Sequence, residues 1–459
     1  MHIYFGNTDH PLETSMPFSF IKLLPFDEHS RGDAKRAQAR WPARVALGLG
    51  AVSLIGLALL AGCGGGGGGT SAASSTSTSS SGTVSSGSTT TATTLSAAAV
   101  TEGTITGFGS VIVNGVRFDS ESCSVVDDSG ASATVDQLKL GMRVEVSSGT
   151  VDSATSSAKA LKISFGSRVI GPVTLLGSST LSILGQTIDI VDATVFDSST
   201  LPNGLSDITE AKVIEVHGLP DAATGHILAT RLHAPASVSA YKLRGAISAL
   251  DTSAQTLSIG STSISYAGVT LTPSTLALAT GLVVRVTLPT TLTTTSVQPY
   301  AATAVSAPGR ASSSTPLAAH VRGTVAAYDA TLKTFTLDGL KVDASAITTL
   351  PAGLADGVEV DVLGSVSNSV LVATAVTLKT EARGKDGKRF ELHGTISGVT
   401  ATSFVLRGIT VDYSAMTAAG YLPSGKTAAD LIAGAKVEVK GTVDSTRTKV
   451  VASSIQFER

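Results

Sequence analysis

Apolar and polar residues alternate along short stretches of the chain, in the pattern of half-buried β-strands. From residue 103 onward these stretches recur in one order, five times. Each recurrence starts with Gly-x-Ile or Gly-x-Val, and successive starts lie 68 to 78 residues apart. Self-similarity at a nearly fixed period predicts tandem copies of one structural unit. The starting glycines are Gly103, Gly171, Gly245, Gly323 and Gly394.

A hairpin signature follows each start. Alternating apolar residues lead to a turn, and a further apolar residue follows it, as in Val111–Phe118. The pairs Asn114-Gly115 and Asp338-Gly339 are favoured in type I′ turns, which need a positive φ at both central positions. Repeat 3 departs from the pattern, because Ser261 takes the turn position and Gly260 lies one residue early.

The next recurring segment is a strand in which two aliphatic residues flank one charged residue. A glycine closes this strand in four repeats, and an Ala-x-x-aliphatic segment follows it in all five. Successive strand residues point to opposite faces, so the aliphatic side chains are expected to face the core. The charged residue should then face water or a cation on the neighbouring strand. The charged residues are Glu145, Glu215, Arg285, Asp361 and Glu438.

This order predicts an all-β protein whose units each contain about five short strands. A short helical turn is expected before the charged strand, as at Val135–Leu138. We expect a tandem array of about five small OB-like β-barrels, because closing a sheet removes its free edges. A string of small open sheets stacked edge to edge is the alternative. The predicted units span residues 101–167, 168–237, 240–308, 318–381 and 389–459.

The first 62 residues have the pattern of an export signal. A basic cluster from Lys35 to Arg44 precedes an uncharged apolar run from Val45 to Leu60. A basic segment, an apolar segment and small residues before a cleavage site predict a secretory signal peptide. The run would span ~24 Å as a helix, short for a bilayer core of ~30 Å, so a transmembrane anchor is the weaker alternative. Met16 is an alternative start.

The segment Leu60-Ala-Gly-Cys63 resembles the lipobox of bacterial lipoproteins. In that family the cysteine is acylated and becomes the first residue of the mature protein, so the resemblance implies a lipid on Cys63. Because Gly64 rather than Asp follows, the family's sorting rule implies the outer membrane of a Gram-negative bacterium. The resemblance leaves open whether the protein faces the periplasm or the cell surface.

The residues after Cys63 predict a disordered, flexible tether up to residue 100. Residues 64–69 are six glycines, and residues 70–100 contain 11 Ser and 9 Thr. A Gly/Ser-type coil of this length reaches roughly 35 Å by the square-root rule. Weaker linkers are expected at Ser306–Ala318 and Glu381–Arg389.

The repeats resemble the bacterial domain-of-unknown-function family DUF5666. Repeat 1 is the closest match, since Ile105–Phe118 resembles the opening segment of the family and Leu138–Val146 resembles its second half, whereas repeats 4 and 5 match more loosely. Repeat 2 follows with Gly171–Val173, and repeat 3 diverges most. The resemblance covers roughly residues 101–459. It implies a β-rich exported module and implies no known activity, ligand or catalytic residue.

The composition of the chain excludes several classes of function. Lys and Arg total 33 against 35 Asp and Glu, which leaves a net charge of −2 and excludes a basic nucleic-acid-binding protein. Two cysteines cannot form a disulfide framework. Aromatic residues are only 4% of the chain, fewer than stacking sites for oligosaccharides or single-stranded nucleic acids usually need.

Catalytic chemistry has little support in the sequence. The acids of the charged strand have no second carboxylate at a fixed offset, which glycoside hydrolysis would need. The spacing of His217, His226 and His233 matches no zinc pattern. Cys123 is the one thiol after Cys63, and its own repeat contains no histidine to act as its base. We therefore expect no enzymatic activity, no metal and no cofactor.

The sequence thus predicts an exported, lipid-anchored envelope protein that acts as an array of structural or binding modules. Its expected contacts are the membrane, through Cys63, and an envelope polymer or protein. The alternative is a multivalent binder of an envelope polymer such as a glycan, held by OB-like faces with exposed aromatic residues. A hydrolase would require a constellation of His or carboxylate residues assembled between units.

Overall fold

The computed structural model describes residues 98–309, 313–379 and 389–458. The predicted signal peptide, Cys63 and nearly all of the predicted tether lie outside the described residues, as do parts of the two predicted linkers. Within the described ranges strands dominate, and the helices are single 3-10 turns. No helix in these ranges is long and apolar enough to cross a membrane.

Unit 1 is a closed barrel. Its strands are β1 (Ala99–Phe108), β2 (Val111–Val113), β3 (Val116–Asp119), β4 (Ser124–Val126), β5 (Ser132–Ala133), β6 (Arg143–Ser148) and β7 (Ser157–Phe165). β1 pairs with β2, β2 with β3, and β6 with both β1 and β7. β7 closes the barrel by running parallel first to β3 and then to β4. The 3-10 turn Val135–Gln137 precedes β6, where the sequence predicts a helical turn.

The other four units repeat this order. In each, the charged strand pairs antiparallel with both the first and the last strand. The last strand runs parallel to the third in units 2, 4 and 5, and in unit 3 the two-residue strand before the last one does so. The predicted all-β array of small closed barrels is confirmed.

Unit 2 contains β8 (Val169–Leu176), β9 (Thr180–Ile183), β10 (Gln186–Phe196), the 3-10 turn Gly204–Asp207, β11 (Val213–Pro220) and β12 (Ile227–His233). Unit 3 contains β13 (Tyr241–Asp251), β14 (Thr256–Ile259), β15 (Thr262–Ser265), β16 (Leu271–Thr272), β17 (Val283–Leu288), β18 (Tyr300–Ala301) and β19 (Ala304–Ser306). Unit 4 contains β20 (Leu317–Asp329), β21 (Thr334–Leu337), β22 (Leu340–Asp343), β23 (Glu359–Ser367) and β24 (Val370–Leu378). Unit 5 contains β25 (Arg389–Ser397), β26 (Ser403–Leu406), β27 (Ile409–Asp412), β28 (Tyr421–Leu422), β29 (Lys436–Val443) and β30 (Lys449–Phe457), with 3-10 turns at Ala418–Gly420 and Ala428–Asp430.

The hairpin turns have the backbone that the sequence predicts. Both central residues have a positive φ in Asn114-Gly115 (52° and 80°) and in Asp338-Gly339 (47° and 83°). Leu184-Gly185 and Arg407-Gly408 follow the same pattern. In unit 3 the positive φ belongs to Gly260 (56°) and not to the residue after it. A type II′ turn takes glycine at its first central position, which explains why this glycine comes one residue early.

The hydrophobic cores of the barrels are joined in sets. Units 1 and 5 share one continuous cluster of buried side chains, and units 2 and 3 share another. Val100 of unit 1 packs into the core of unit 4. The barrels are therefore packed against one another, and buried side chains of neighbouring barrels contact each other in shared hydrophobic clusters.

Ladders between units join first strands to first strands. β1 runs parallel to β20 over Ala99–Glu102, and its end at Gly107–Phe108 runs parallel to β25. β8 runs antiparallel to β13 at Val169–Ile170. In every unit the charged strand is the one strand of its own barrel that pairs with the N-terminal half of the first strand. The second strand begins to pair further along. The open edge that remains is covered by another unit.

The glycine that closes the charged strand marks a β-bulge. The register shifts at this position in units 2, 4 and 5. A Cβ atom on Gly364 would collide with the backbone carbonyl oxygen of Val372 on the partner strand. In unit 1 the register shift falls at Ser147 and Ser148, so Ser148 takes the position of the bulge glycine. Gly149 follows one residue later, beyond the end of β6, and has no heavy atom within 4 Å of such a Cβ position.

We expect Gly364→Ala to lower the free energy of unfolding by about 1–3 kcal/mol, because the added methyl group forces two paired strands apart. Gly149→Ala is the matched control and should change it by less than ~0.5 kcal/mol. Urea denaturation followed by circular dichroism measures both. Equal losses in the two variants would show that the close approach is not the cause.

Candidate binding cavity

A cavity of about 300 Å³ lies where units 1, 2, 3 and 4 meet. Charged side chains from all four units line it, and basic and acidic residues are equally numerous. Unit 1 contributes Glu102, Asp127, Asp128, Arg143, Glu145 and Lys162, unit 2 Arg168, unit 3 Arg244 and Arg285, and unit 4 Asp338. Its volume lies at the lower end of the range typical of small-molecule sites. We therefore take it as the candidate functional site.

The charges reach the cavity from positions that point out of the barrels. In the ladder between the first strand and the charged strand, the residue before the starting glycine lies opposite the central residue of the charged strand. This register places Arg244 opposite Arg285 in unit 3, and Glu102 opposite Glu145 in unit 1. Like charges directly opposite each other destabilise a sheet. Both pairs line the same cavity, so packing brings the acidic pair and the basic pair together.

Asp338 connects three units at the cavity. It lies in the hairpin turn of unit 4, and its side chain is only 7% exposed. Its Oδ1 lies 2.9 Å from Nη2 of Arg168, and its Oδ2 accepts a hydrogen bond of 2.8 Å from Nη2 of Arg244. One buried carboxylate thus holds an arginine of unit 2 and an arginine of unit 3.

Asp128 connects unit 1 to unit 3 in the same way. Its Oδ1 accepts a hydrogen bond of 2.9 Å from Nζ of Lys242 and lies 3.2 Å from Nη1 of Arg285. On the other side of the cavity, Nη2 of Arg143 donates a 3.0 Å hydrogen bond to the backbone carbonyl of Arg322 in unit 4. These contacts fix the guanidinium groups in place around the cavity.

Burial lowers the pKa of Arg143, while the carboxylates of Glu102 and Asp338 oppose that change. Burial likewise lowers the pKa of Arg168 against the opposing effect of Asp338. Arginine stays protonated in proteins, so the cavity keeps its positive charges and depends on the neighbouring acids to balance them.

Several buried donors at the cavity have no hydrogen-bond partner within the described part of the chain. They are Oγ of Ser167, Nη1 of Arg143, Nε of Arg244, and Nε and Nη1 of Arg285, the last of which lies 3.2 Å from Oδ1 of Asp128. Ser167 is only 4% exposed. Among the acceptors, Oδ2 of Asp128 is in the same state, while Oδ1 of Asp338 faces Nη2 of Arg168 at 2.9 Å; donors therefore outnumber acceptors. Buried polar groups are nearly always satisfied by protein, water or a ligand, and this set calls for a partner that brings acceptors.

Two of the predicted strand acids have a basic residue opposite them on the neighbouring strand, as alternation suggests. Arg322 donates to Asp361 through Nε (2.9 Å) and Nη2 (2.8 Å), and His393 lies 3.4 Å from Glu438. Burial opposes ionisation of Asp361, but hydrogen bonds from His320 and Arg322 hold its pKa well below the usual range. These acids belong to local ion pairs in separate units.

The other two strand acids differ from each other. Glu145 lines the cavity, whereas Glu215 lies 3.4 Å from Nε2 of the buried His217. His226 and His233 each contact another carboxylate, Asp189 at 3.0 Å and Asp197 at 3.4 Å. The three histidines of repeat 2 therefore pair with three different acids.

Cys123 is half-buried, and burial raises the pKa of its thiol. An activated cysteine nucleophile needs the opposite change, because the thiolate is the reactive form. The structure therefore places Cys123 in surroundings that keep the thiol protonated.

A second charged cluster lies at the junction of units 5 and 1. Potential ligand atoms of Glu391, His393 and Glu438 lie within 4.8 Å of one another. Arg117 of unit 1 forms an ion pair with Glu391, and Lys440 lies 3.0 Å from Glu438. Because cations of the protein already balance these carboxylates, we interpret the cluster as an ion-pair contact between units.

Sequence reasoning missed the arginines of the cavity. One signal was available, since repeat 3 carries Arg285 where the other repeats carry an acid, and Arg244 precedes its starting glycine. The ladder places these two residues side by side. Two arginines side by side on the outer face of a barrel indicate a surface that contacts acidic residues of another unit.

Three segments of the chain match the family Domain of unknown function (DUF5666): residues 170–233, 322–377 and 393–456. They coincide with units 2, 4 and 5. Unit 1, which the sequence predicts to match the family most closely, lies outside these segments, as does unit 3. No curated protein sequence matches the chain.

We expect Asp338→Asn to lower the free energy of unfolding by about 3–5 kcal/mol, because it leaves two buried guanidinium groups without their shared carboxylate. Asparagine tolerates the positive φ of this turn, so the hairpin itself is preserved. The control is Asp192→Asn, whose carboxylate is 63% exposed and 3.7 Å from Arg447; this change should cost about 0–1 kcal/mol. Urea denaturation compares the two, and a small loss for Asp338→Asn would contradict its connecting role.

Proposed function

We propose that this chain, which contains three DUF5666 domains, is a lipid-anchored protein of the cell envelope whose five barrels act together as one rigid binding platform. The observation that carries the proposal is the way the units are joined. Ladders between first strands connect units 1, 4 and 5 and, separately, units 2 and 3. Freely swinging modules would not share backbone ladders.

Polar contacts join these two groups of units. Asp338 of unit 4 binds arginines of units 2 and 3, and Asp128 of unit 1 binds Lys242 of unit 3. Away from the cavity, Thr230 of unit 2 donates a 2.6 Å hydrogen bond to the backbone carbonyl of Gly141 in unit 1. These contacts support a platform in which the position of each barrel is fixed by several neighbours.

The anchor is supported by the sequence. The lipobox-like segment ending at Cys63 follows an apolar run, and a Gly/Ser/Thr-rich segment separates it from the first strand. A tether of this composition would let the barrels stand clear of a membrane surface. The proposed location is the outer membrane.

The alternative of a glycan binder with stacked aromatic platforms has less support. Of the fourteen aromatic residues after residue 62, ten are buried and four are half-buried. Phe118 and Phe404 lie fully inside their barrels. Stacking platforms need exposed aromatic faces, so the aromatic side chains are better explained as core residues.

Growth of the expressing cells in radioactive palmitate tests the anchor. The wild-type chain should take up label and enter the membrane fraction, whereas Cys63→Ala should do neither. Cys123→Ala is the matched control and should label normally. A Cys63→Ala chain that still takes up label, or a wild type that does not, would contradict lipidation at Cys63.

Distances between spin labels test rigidity. Leu175 in unit 2 and Ile432 in unit 5 are exposed and belong to the two separately connected groups, so Leu175→Cys and Ile432→Cys can be labelled in a Cys63→Ala, Cys123→Ser background. Electron paramagnetic resonance should give one narrow distance distribution. A pair with one label in the predicted tether, Ser80→Cys with Ile432→Cys, should give a broad one. A broad distribution for the first pair would reject the rigid platform.

A further inference from the structure

We propose that the cavity between units 1, 2, 3 and 4 binds a small ligand through an oxyanion group, either a phosphate or a carboxylate. This inference rests on the proposed binding function and names the class of its ligand. It requires the barrels to pack as described, and it does not require the lipid anchor.

The first support is the excess of buried donors. Ser167, Arg143, Arg244 and Arg285 each present a buried N–H or O–H group without a hydrogen-bond partner in the described residues. A buried donor left unsatisfied costs roughly 1–3 kcal/mol, and more when the group is charged. A ligand that offers several acceptor oxygens would relieve these costs together.

The second support is that the ion pairs already present hold the arginines in place. Asp338 binds Arg168 and Arg244, and Asp128 lies against Arg285. A guanidinium group has five N–H donors in a rigid fork and no acceptor. Each arginine can therefore keep its structural carboxylate and still turn another N–H edge towards a ligand, in the geometry that suits planar or tetrahedral oxyanions.

The third support is that the donors come from separate units. Arg143 belongs to unit 1, Ser167 lies in the connection between units 1 and 2, and Arg244 and Arg285 belong to unit 3. No barrel alone can form the site. An anion held between them would bind only the assembled platform and would stabilise it by mass action.

The size of the cavity suits a small ligand. A volume of about 300 Å³ corresponds to roughly ten water molecules at their share of liquid volume. This space admits a phosphate or carboxylate together with a small organic body.

Isothermal titration calorimetry with the full-length chain tests the proposal. Inorganic phosphate and succinate are titrated in separate experiments, with chloride holding the ionic strength constant. We expect saturable binding of at least one of them with one site per chain. Binding of phosphate but not of succinate would show that the site recognises a tetrahedral phosphate group. Binding of succinate but not of phosphate would show that it recognises a carboxylate.

Variants of the cavity decide whether the binding is at this site. Arg285→Gln removes a charge-assisted donor and should weaken binding by about 10-fold or more. Ser167→Ala removes a buried hydroxyl with little change of volume and should weaken it by roughly threefold or more, which keeps the test valid if the arginine variant does not fold. Arg117→Gln, at the junction of units 1 and 5, is the control and should bind like the wild type.

Two results would overturn the inference: binding of neither anion, or binding that Arg285→Gln and Ser167→Ala leave unchanged. The first would mean that water satisfies the donors. Spin-label distances separate this failure from failure of the platform. A narrow distribution without anion binding rejects only the anion site, and a broad distribution rejects the platform as well.

Discussion

The open edge of the first strand is the constraint on which the arrangement of the units depends. In each barrel the charged strand pairs along the N-terminal half of the first strand, while the second strand pairs only along the remainder. Unpaired backbone groups on such an edge attract other strands. Each first strand pairs with the first strand of another unit, so the feature that leaves a single barrel incomplete also joins barrels together.

Charge then determines which surfaces can meet. The acidic pair of unit 1 and the basic pair of unit 3 each repel internally and become complementary at the shared cavity. Buried ion pairs contribute little net stability, because desolvation offsets the Coulomb attraction. We interpret the pairs around Asp338 and Asp128 as determinants of the arrangement, since a misplaced unit would leave arginines buried without a carboxylate.

Departures from the repeat pattern coincide with contacts between units. In unit 3, Thr262 follows the shifted turn and donates to the backbone carbonyl of Leu184 in unit 2. Gln186 of unit 2 donates in return to the backbone carbonyl of Ile259, at 2.8 Å. Arg285, the one basic residue at the acidic position, lines the cavity. The divergence of repeat 3 therefore has a structural reason: its surface serves as an interface.

The amino-acid sequence by itself determined the features that depend on nearby residues. Its alternation and period predict five closed barrels, and Asn114-Gly115 and Asp338-Gly339 predict the turns that the structure contains. These features depend on strand pairing and backbone conformation within about 70 residues. Lipidation at Cys63 stays a prediction from the sequence, outside the described residues.

Only the tertiary structure decided which barrels touch and what lies between them. Alternation shows that a side chain such as Arg143 or Arg244 leaves the barrel interior, but it does not show what that side chain meets outside. The partners come from distant repeats, as when Arg143 donates to the carbonyl of a residue 179 positions away. The cavity is formed by surfaces that are separate in the sequence, and their contact depends on edges and charges that complement each other only after the barrels have closed.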